Sequence, residues 1–338
     1  MMDTIALLKK LTKSEALSGC ENELKNVLTD ILSAYGDVYT DQMNNIFCTF
    51  GSGKHFLLDA HMDEIGLVVT SVTDEGFLKF SPSGGIDRRF LPSSEVTVLA
   101  KEKLRGVICA VSPHLRTDKD KKVNDFSELA IDLGMNRDET EKLVSPGDRV
   151  VFTHGFDRLC GNFVTSNCLD DRCGAAAHIL ALDRLKKLPV KITLMLSAQE
   201  EVGTRGAKAG AFGVDADEAI CVDVSFGYSP QCKKDDCGEL SKGAMIGFSP
   251  VLDKTISNEL VKCAEKNGIP YQREIMSGKT GTNADVISIS KSGIRCGLIS
   301  VPLRYMHTPS EVIDVKDVEA VADLIAAYIA ERAGVCNA

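Results

Sequence analysis

The stretch ITLMLSAQEE, residues 192–201, decides the fold class. Its apolar half is typical of a strand that is buried on both faces of a sheet. The two adjacent glutamates come at a point where an ordinary strand end would turn with Gly or Asn. A helix-like segment (173–188) precedes this strand, and a second strand-like run (219–224) follows it. Strands that alternate with helices predict an α/β protein with a mixed, mostly parallel sheet flanked by helices.

The same alternation continues towards both ends of the chain. A helical stripe covers residues 24–35, and the spacing of Ser18 and Glu21 predicts a capping box before it. Further runs are typical of strands or helices; these are 56–58, 65–69 and 297–301 for strands, and 256–267 and 315–333 for helices. We therefore expect residues 1–70 and 164–338 to form one α/β domain.

Residues 71–163 have a different character. Short strand-like segments at 76–80, 96–99, 104–111 and 149–152 are separated by turn residues. Several short strands with turns between them predict a small β-barrel or sandwich inserted between the two halves of the α/β domain. The charged run at 114–125 predicts a solvated loop.

Composition excludes several classes of protein. The 338 residues are 44% hydrophobic and 26% charged, which is ordinary for a folded globular chain and excludes disorder. The net charge of −9, without a long basic run, argues against nucleic acid as a partner. No apolar stretch approaches the roughly 20 residues of a membrane helix, and the N-terminus lacks the apolar segment of a secretory signal. The 12 cysteines contain no C-x-x-C pair, so we expect free thiols in a reducing cytoplasm rather than disulfides.

Polar side chains cluster just beyond the predicted strands. In open α/β sheets, ligands bind in the crevice at the carboxyl ends of the strands, so residues distant in sequence can meet there. A carboxylate such as Asp223, inside an apolar strand, is costly unless it is paired or coordinated. Imidazoles and carboxylates together predict a divalent-metal site. Its candidate residues are His61, Asp63, Asp170, Asp171, Glu200, Glu201, Asp223 and His307.

In this order the motifs resemble the M42 family of metallo-aminopeptidases, relatives of the M28 and M20 zinc peptidases. The resemblance spans nearly the whole chain and includes the insertion. It implies a zinc-peptidase-like α/β domain with an inserted β-barrel that serves dimerisation. The motifs that carry it are Ala60-His-Met-Asp-Glu-Ile-Gly66, Leu169-Asp-Asp-Arg-Cys-Gly174, Ala198-Gln-Glu-Glu-Val-Gly203, Val222-Asp-Val224 and Arg304-Tyr-Met-His-Thr-Pro309.

The resemblance also implies roles for these residues. His61, Asp170 and Asp223 would hold one of two divalent ions, and Asp170, Glu201 and His307 would hold the other. Spacing alone leaves open whether Asp170 or Asp171 bridges the ions, and similarity to related peptidases favours Asp170. Asp63 would orient His61 from behind, and Glu200 would be the general base. Zinc or cobalt suits this ligand set, and manganese is a further candidate.

The expected function is therefore that of a cytoplasmic dinuclear metallo-aminopeptidase acting on peptides. Similar proteins form dimers through the barrel and then hollow dodecamers, so we expect a homo-oligomer. Two alternatives are a related metal-dependent amidohydrolase, such as a deacylase or carboxypeptidase, and a metal-binding scaffold without catalysis. Glu200 argues against the scaffold, because a pure binding site needs no base that is not a ligand. The sequence leaves the preferred N-terminal side chain and the native metal open.

Other hydrolase signatures are missing from the sequence. There is no His-Glu-x-x-His motif of endopeptidase zinc sites and no Gly-x-Ser-x-Gly elbow of serine hydrolases. Residues 277–280 imitate the end of a phosphate-binding loop, but Arg273 occupies the place of its first glycine. Endoglucanase activity, a label given to some relatives, is disfavoured because glycosidases need no metal-ligating histidines.

Overall fold

A computed structural model describes residues 2–115, 123–153, 155–230 and 232–334. Most of the predicted solvated loop, residues 116–122, lies outside these ranges. The helices are Thr4–Leu11 (α1), Asn22–Leu32 (α2), Arg137–Leu143 (α3), Leu169–Leu185 (α4), Arg205–Phe212 (α5), Lys254–Asn267 (α6), Ala284–Ile287 (α7) and Val315–Arg332 (α8). Within the described ranges, no helix combines the length and apolar composition that a bilayer-spanning segment requires.

The strands belong to three sheets. In chain order they are Asp37–Thr40 (β1), Ile46–Gly51 (β2), Lys54–His61 (β3), Gly66–Val72 (β4), Leu78–Ser83 (β5), Glu95–Leu99 (β6), Lys103–Cys109 (β7), Ala130–Asp132 (β8), Arg149–Phe152 (β9), Phe156–Arg158 (β10), Phe163–Ser166 (β11), Val190–Ser197 (β12), Glu218–Phe226 (β13), Ala244–Phe248 (β14), Tyr271–Ile275 (β15), Arg295–Leu303 (β16) and Glu311–Asp314 (β17).

The main sheet has eight strands in the order β1-β2-β12-β3-β13-β16-β14-β15. Its four central strands, β12, β3, β13 and β16, are parallel to one another, and antiparallel pairs lie towards both edges. β3 and β12 are buried along almost their whole length, because helices cover both faces of a parallel sheet centre. The predicted mixed α/β fold is confirmed.

Two apolar cores hold the helices against this sheet. On one face α1, α2, α4, α6 and α8 pack through alternate strand residues such as Phe56 and Leu58. On the other face, α5 and α7 pack on the strand residues that point the opposite way, such as Leu57 and Met195. Because side chains alternate along a strand, His61 lies on the same face of β3 as Leu57. His61 therefore lies on the face of the sheet that α5 and α7 cover.

The insertion is a closed barrel in the order β4-β5-β8-β7-β6-β9. Its strands alternate between buried and exposed residues, as in Lys103–Cys109, and a separate apolar core fills its interior. This confirms the barrel rather than the sandwich. The first barrel strand begins at Gly66, ahead of residue 71, and β10 and β11 join β17 in a small antiparallel sheet outside the barrel. The role of the insertion in dimerisation stays a prediction.

The predicted capping box at Ser18 is wrong. Helix α2 begins at Asn22, and the Glu21 side chain makes no capping hydrogen bond. The Ser18 hydroxyl instead donates to Asp63 Oδ2 at 2.6 Å. Asp63 is fully buried, so its carboxylate needs donors more than the helix end does, since water can satisfy exposed N–H groups.

Candidate metal centre

The predicted site residues meet at the carboxyl ends of the parallel strands. His61 ends β3, Asp223 lies near the end of β13, and the Glu200-Glu201 pair follows β12. His307 follows β16, and Asp170 lies in the first turn of α4. These residues line one cleft of about 480 Å³. Strand direction therefore brings together side chains that the sequence separates by up to 246 positions.

Asp170 lies at the centre of this cluster. Its Oδ1 is 3.0 Å from His61 Nε2, and its Oδ2 is 3.3 Å from His307 Nε2. His307 Nε2 is also 3.2 Å from Glu201 Oε1. Each oxygen of Asp170 thus faces a different histidine, which is the arrangement required of a carboxylate that bridges two cations.

Among the residues that the structure describes, two overlapping sets of side chains could each hold a cation. One comprises His61, Asp170 and Glu201, and the other comprises His61, Asp171 and Asp223. Within each set, one potential ligand atom from every residue lies within 4.8 Å of the others. The sequence offers Asp171 only as an alternative bridge, whereas in the structure Asp171 lies beside Asp223.

The electrostatics of Asp171 fit a bound cation. The residue is fully buried, its Oδ1 accepts from Gly174 N at 3.0 Å, and its Oδ2 has no hydrogen-bond partner. Burial raises the pKa of Asp171 well above its usual range, and the neighbouring Asp223 carboxylate adds to the rise. Burial likewise raises the pKa of Asp223, and repulsion from the Asp170 carboxylate raises it further. Buried carboxylates this close together require a compensating positive charge.

The raised pKa values of His307 and His61 also indicate that this cluster stabilises positive charge. Burial opposes the charged form of His307, but hydrogen bonds to Asp170 and Glu201 outweigh it and raise its pKa to about 11. Burial also opposes the charged form of His61, yet Asp170 and Asp63 raise its pKa well above the usual range. Since histidine binds a metal as neutral imidazole, cation binding would displace these protons.

Glu200 borders the same cleft and differs from its neighbour Glu201. Burial raises the pKa of Glu200 to about 7; the His61 charge opposes the rise, and the Glu201 and Asp63 carboxylates add to it. A carboxylate that titrates near neutral pH can both accept and return a proton during a reaction. This property matches the general-base role that the sequence predicts for Glu200.

Asp63 positions the Glu200-Glu201 segment as well as His61. Its Oδ1 accepts from the backbone N of Glu200 at 2.9 Å, and its Oδ2 accepts from the N of Glu201 at 3.2 Å. His61 Nδ1 lies 3.1 Å from the backbone oxygen of Asp63 and 3.5 Å from its Oδ1. The predicted orientation of His61 therefore comes chiefly from the Asp63 carbonyl. Asp63 is a positioning residue, since its carboxylate is occupied by protein donors.

Sequence reasoning missed Glu311. This residue is 2% exposed at the start of β17, where its Oε2 accepts from Asp170 N at 3.1 Å and its Oε1 from His307 N at 3.0 Å. One carboxylate thus joins two candidate ligands that are far apart in the chain. The available signal was an acidic residue four positions after His307, opening the short apolar run 312–313.

The barrel also reaches this centre, which the sequence did not indicate. A Cβ atom added at Gly85, just beyond β5, would lie 3.2 Å from His307 Nδ1. A Cβ at the preceding Gly84 would lie 3.4 Å from the Glu201 Cβ. The backbone after β5 therefore packs directly against two candidate ligands.

Comparison with known proteins agrees with this geometry. The model of the M42 glutamyl aminopeptidase family matches residues 44–324. The chain belongs to the M42 aminopeptidase family. As an M42 aminopeptidase it is a hydrolase, and the family indicates divalent metals, for which the clusters around Asp170 and Asp171 are the candidate sites.

Similar proteins cover nearly the whole of this M42 chain. The lysyl aminopeptidase of Pyrococcus furiosus is 32% identical over 337 residues, which is 96% of each chain. An aminopeptidase structure from the archaeon Desulfurococcus kamchatkensis is 35% identical with a TM-score of 0.92, covering 97% of this chain and 94% of that one. The Pyrococcus horikoshii TET1 peptidase, described as assembling into a tetrahedron or a large octahedral shell, is 33% identical with a TM-score of 0.84, covering 96% and 98%.

Proposed function

We propose that this protein removes N-terminal residues from peptides with two divalent cations and with Glu200 as general base. His61, Asp170 and Asp223 would hold one cation, and Asp170, Glu201 and His307 would hold the other. The observation that carries the proposal is that the two oxygens of Asp170 face two different histidines, 3.0 and 3.3 Å away. The second candidate set, which includes Asp171, supports a further ligand for the His61 cation.

The protein side chains supply the proton transfers. Bound cations would polarise the scissile carbonyl and acidify water in the cleft. Glu200 accepts a proton from the attacking water as the water oxygen adds to the carbonyl carbon, and it returns that proton to the amide nitrogen as the carbon–nitrogen bond breaks and the amine leaves. Asp63 keeps Glu200 in place through the Glu200 backbone N–H, and Glu311 does the same for Asp170 and His307. In this proposal Glu201 binds a cation and Glu200 transfers the proton, so neither carboxylate has both roles.

The Glu200→Gln variant tests the assigned base. The amide retains the shape of the side chain but cannot accept the proton, so we expect full metal content and a loss of turnover of at least about a hundredfold. Metal content is measured by elemental analysis and turnover with an aminoacyl p-nitroanilide. The matched control is Glu102→Gln, an exposed glutamate between two barrel strands. An unchanged rate in Glu200→Gln would refute the role.

Substrate chemistry separates this proposal from a related amidohydrolase. An aminopeptidase cleaves aminoacyl p-nitroanilides with a free amine, whereas a deacylase acts on N-acylated amino acids. Activity confined to blocked N-termini would exclude the aminopeptidase. Reconstitution of chelated protein with zinc, cobalt or manganese in parallel would identify the metal that supports the highest turnover.

We propose that the protein forms dimers through the barrel and that these assemble into a dodecamer. The support is the assembly described for the similar Pyrococcus horikoshii peptidase, together with apolar residues exposed on the barrel, such as Val107. Light scattering with and without chelator tests this, and a monomer under both conditions would contradict it.

We also propose a cytoplasmic location. Cysteines in the described part of the chain are free thiols, including several buried in the main core, which suits a reducing compartment. Fractionation of cells of the source organism checks this, and recovery of the protein outside the cytoplasm would contradict it.

A further inference from the structure

The cleft contains a carboxylate that the proposed chemistry does not use. Glu274, on β15, lines the same cleft as His61 and Glu200. Its Oε2 accepts a hydrogen bond from the Ser300 hydroxyl at 2.8 Å, and its Oε1 accepts one from the Ser225 hydroxyl. Both donors are hydroxyl groups, so the carboxylate has no cationic side chain among these partners. Its charge therefore remains available to a ligand.

Strand register places this carboxylate close to the candidate metal centre. Ser300 pairs with Asp223 across β16 and β13, and Ser225 lies two residues beyond Asp223 on the same strand. Two residues along a strand correspond to roughly 6.5 Å. Glu274 reaches these serines across β14, where its register partner is Gly247, which has no side chain to obstruct it. A substrate side chain that starts beside Asp223 can thus extend to Glu274.

The surroundings of Glu274 suit a long basic side chain. Met245, Met276 and Leu298 provide apolar contact along the cleft, and Asp235 and Asp236 line it as well. Such a combination matches lysine or arginine, which bury an apolar stem and present a charge at its end.

One basic side chain could compete with a substrate for Glu274. Among the described residues that line the cleft, Arg273 is the only lysine or arginine. Its guanidinium carbon lies 5.7 Å from the centre of the Phe248 ring, and it follows the strand alternation that turns it away from Glu274. Arg273 therefore leaves the Glu274 carboxylate unpaired.

We propose that Glu274 determines specificity by pairing with the cationic end of an N-terminal lysine or arginine side chain. The inference rests on the proposed aminopeptidase function. An aliphatic side chain would leave the half-buried carboxylate without a charged partner, and an acidic side chain would meet a like charge. Family membership does not decide this preference, because the names of the family model and of a similar protein refer to glutamyl and lysyl substrates.

The test compares kcat/KM for lysyl, arginyl, leucyl and glutamyl p-nitroanilides. The wild-type protein is expected to favour the two basic substrates. Glu274→Gln is expected to lower kcat/KM for the lysyl substrate by about tenfold to a hundredfold, because a charged hydrogen bond is lost, with little change for the leucyl substrate. Glu265→Gln, an exposed glutamate on the neighbouring α6, is the matched control and should leave the preference unchanged.

The outcomes separate this inference from the function on which it rests. A wild-type protein that cleaves the leucyl or glutamyl substrate faster than both basic ones overturns the role of Glu274 and leaves the aminopeptidase intact. No hydrolysis of any of the four substrates by metal-reconstituted protein overturns both. The wild-type comparison decides the question even when Glu274→Gln fails to fold, which a melting curve detects. An equal loss for lysyl and leucyl substrates in a folded Glu274→Gln variant also contradicts the inference.

Discussion

Glu311 and Asp63 perform the same task on two sides of the candidate centre. Each is a buried carboxylate whose oxygens accept backbone N–H groups of neighbouring site residues: Asp170 and His307 for Glu311, Glu200 and Glu201 for Asp63. Because a carboxylate accepts through both oxygens, it can join two segments that have no sequence contact. The positions of the candidate metal ligands and of Glu200 thus depend on two carboxylates, Glu311 and Asp63, that are not themselves proposed as ligands.

Replacing Glu311 with Gln tests this dependence. The amide has one acceptor oxygen instead of two, so either Asp170 or His307 loses its backbone partner. We expect metal affinity and kcat/KM to fall by about tenfold to a hundredfold, as for other residues that orient metal ligands. Metal titration followed by activity measurement checks this, with Glu102→Gln as control. Wild-type affinity in the variant would show that the backbone holds these ligands without Glu311.

The pKa of Glu200 makes a pH dependence testable at the same scale. Burial raises this pKa to about 7, so Glu200 is protonated below that value and the fraction of active base falls as the pH falls. Bound cations favour the charged carboxylate and shift the midpoint lower. We expect kcat/KM of the metal-loaded protein to decrease as the pH falls, with a midpoint below about 7, while the protein retains its metal. A rate that stays constant down to the pH at which the metal is released would contradict Glu200 as the base.

At the scale of elements, helix α6 depends on Asp253 at its N-terminus. The Asp253 carboxylate accepts from Thr255 N at 2.8 Å and Ile256 N at 3.1 Å, and from Arg295 Nε at 2.7 Å. The ion pair with Arg295, followed by the helix N–H groups, lowers the pKa of Asp253 to about 2 against burial. The capped helix packs against β14 and against β16, the strand that carries Ser300, so its stability supports this part of the sheet.

Asp253→Ala should lower the free energy of unfolding by about 1 kcal/mol at pH 7 through loss of the cap. Because the folded pKa is depressed, this stabilisation is present above about pH 4 and is lost as the pH falls towards 2. Asp253→Asn, which keeps a capping oxygen without the charge, should lie between the wild type and Asp253→Ala. Chemical denaturation at several pH values measures all three. Equal stability of Asp253→Ala and wild type at pH 7 would contradict the assignment.

At the scale of the whole molecule, the barrel is joined to the α/β domain in two ways. β4 and β9 pair with each other, so the chain enters and leaves the barrel at neighbouring positions. The backbone at Gly84 and Gly85 also packs on Glu201 and His307. A change in the conformation of the barrel near Gly84 and Gly85 would therefore alter the surroundings of Glu201 and His307.

Assembly through the barrel predicts the effect of a charge on its surface. Val107 lies on β7 with 45% of its surface exposed. Val107→Glu should dissociate dimers, because burying an unpaired carboxylate in an interface is unfavourable. Ile289→Glu, at an exposed position in the α/β domain, should leave dimers intact. Light scattering measures both masses, and dissociation by Ile289→Glu alone would place the dimer interface outside the barrel.

Local sequence patterns predict the α/β alternation, the presence of a strand-rich insertion and most of the residues of the candidate centre. These features follow from local patterns, because apolar runs identify strands. Carboxylates directly after such runs indicate a site, because an ordinary strand end would have turn residues such as Gly or Asn there. Strand direction then requires His61, Glu201 and Asp223 to share one edge of the sheet.

Local patterns could not show which partners the oxygen atoms of these residues contact in the folded protein. The tertiary structure assigned the two oxygens of Asp170 to different histidines, placed Asp171 beside Asp223 and drew Ser18 away from the predicted cap. It also revealed Glu311 and Glu274, whose partners lie on other strands. The physical reason is that a buried carboxylate takes the donors that packing brings within reach, and sequence spacing does not encode those distances.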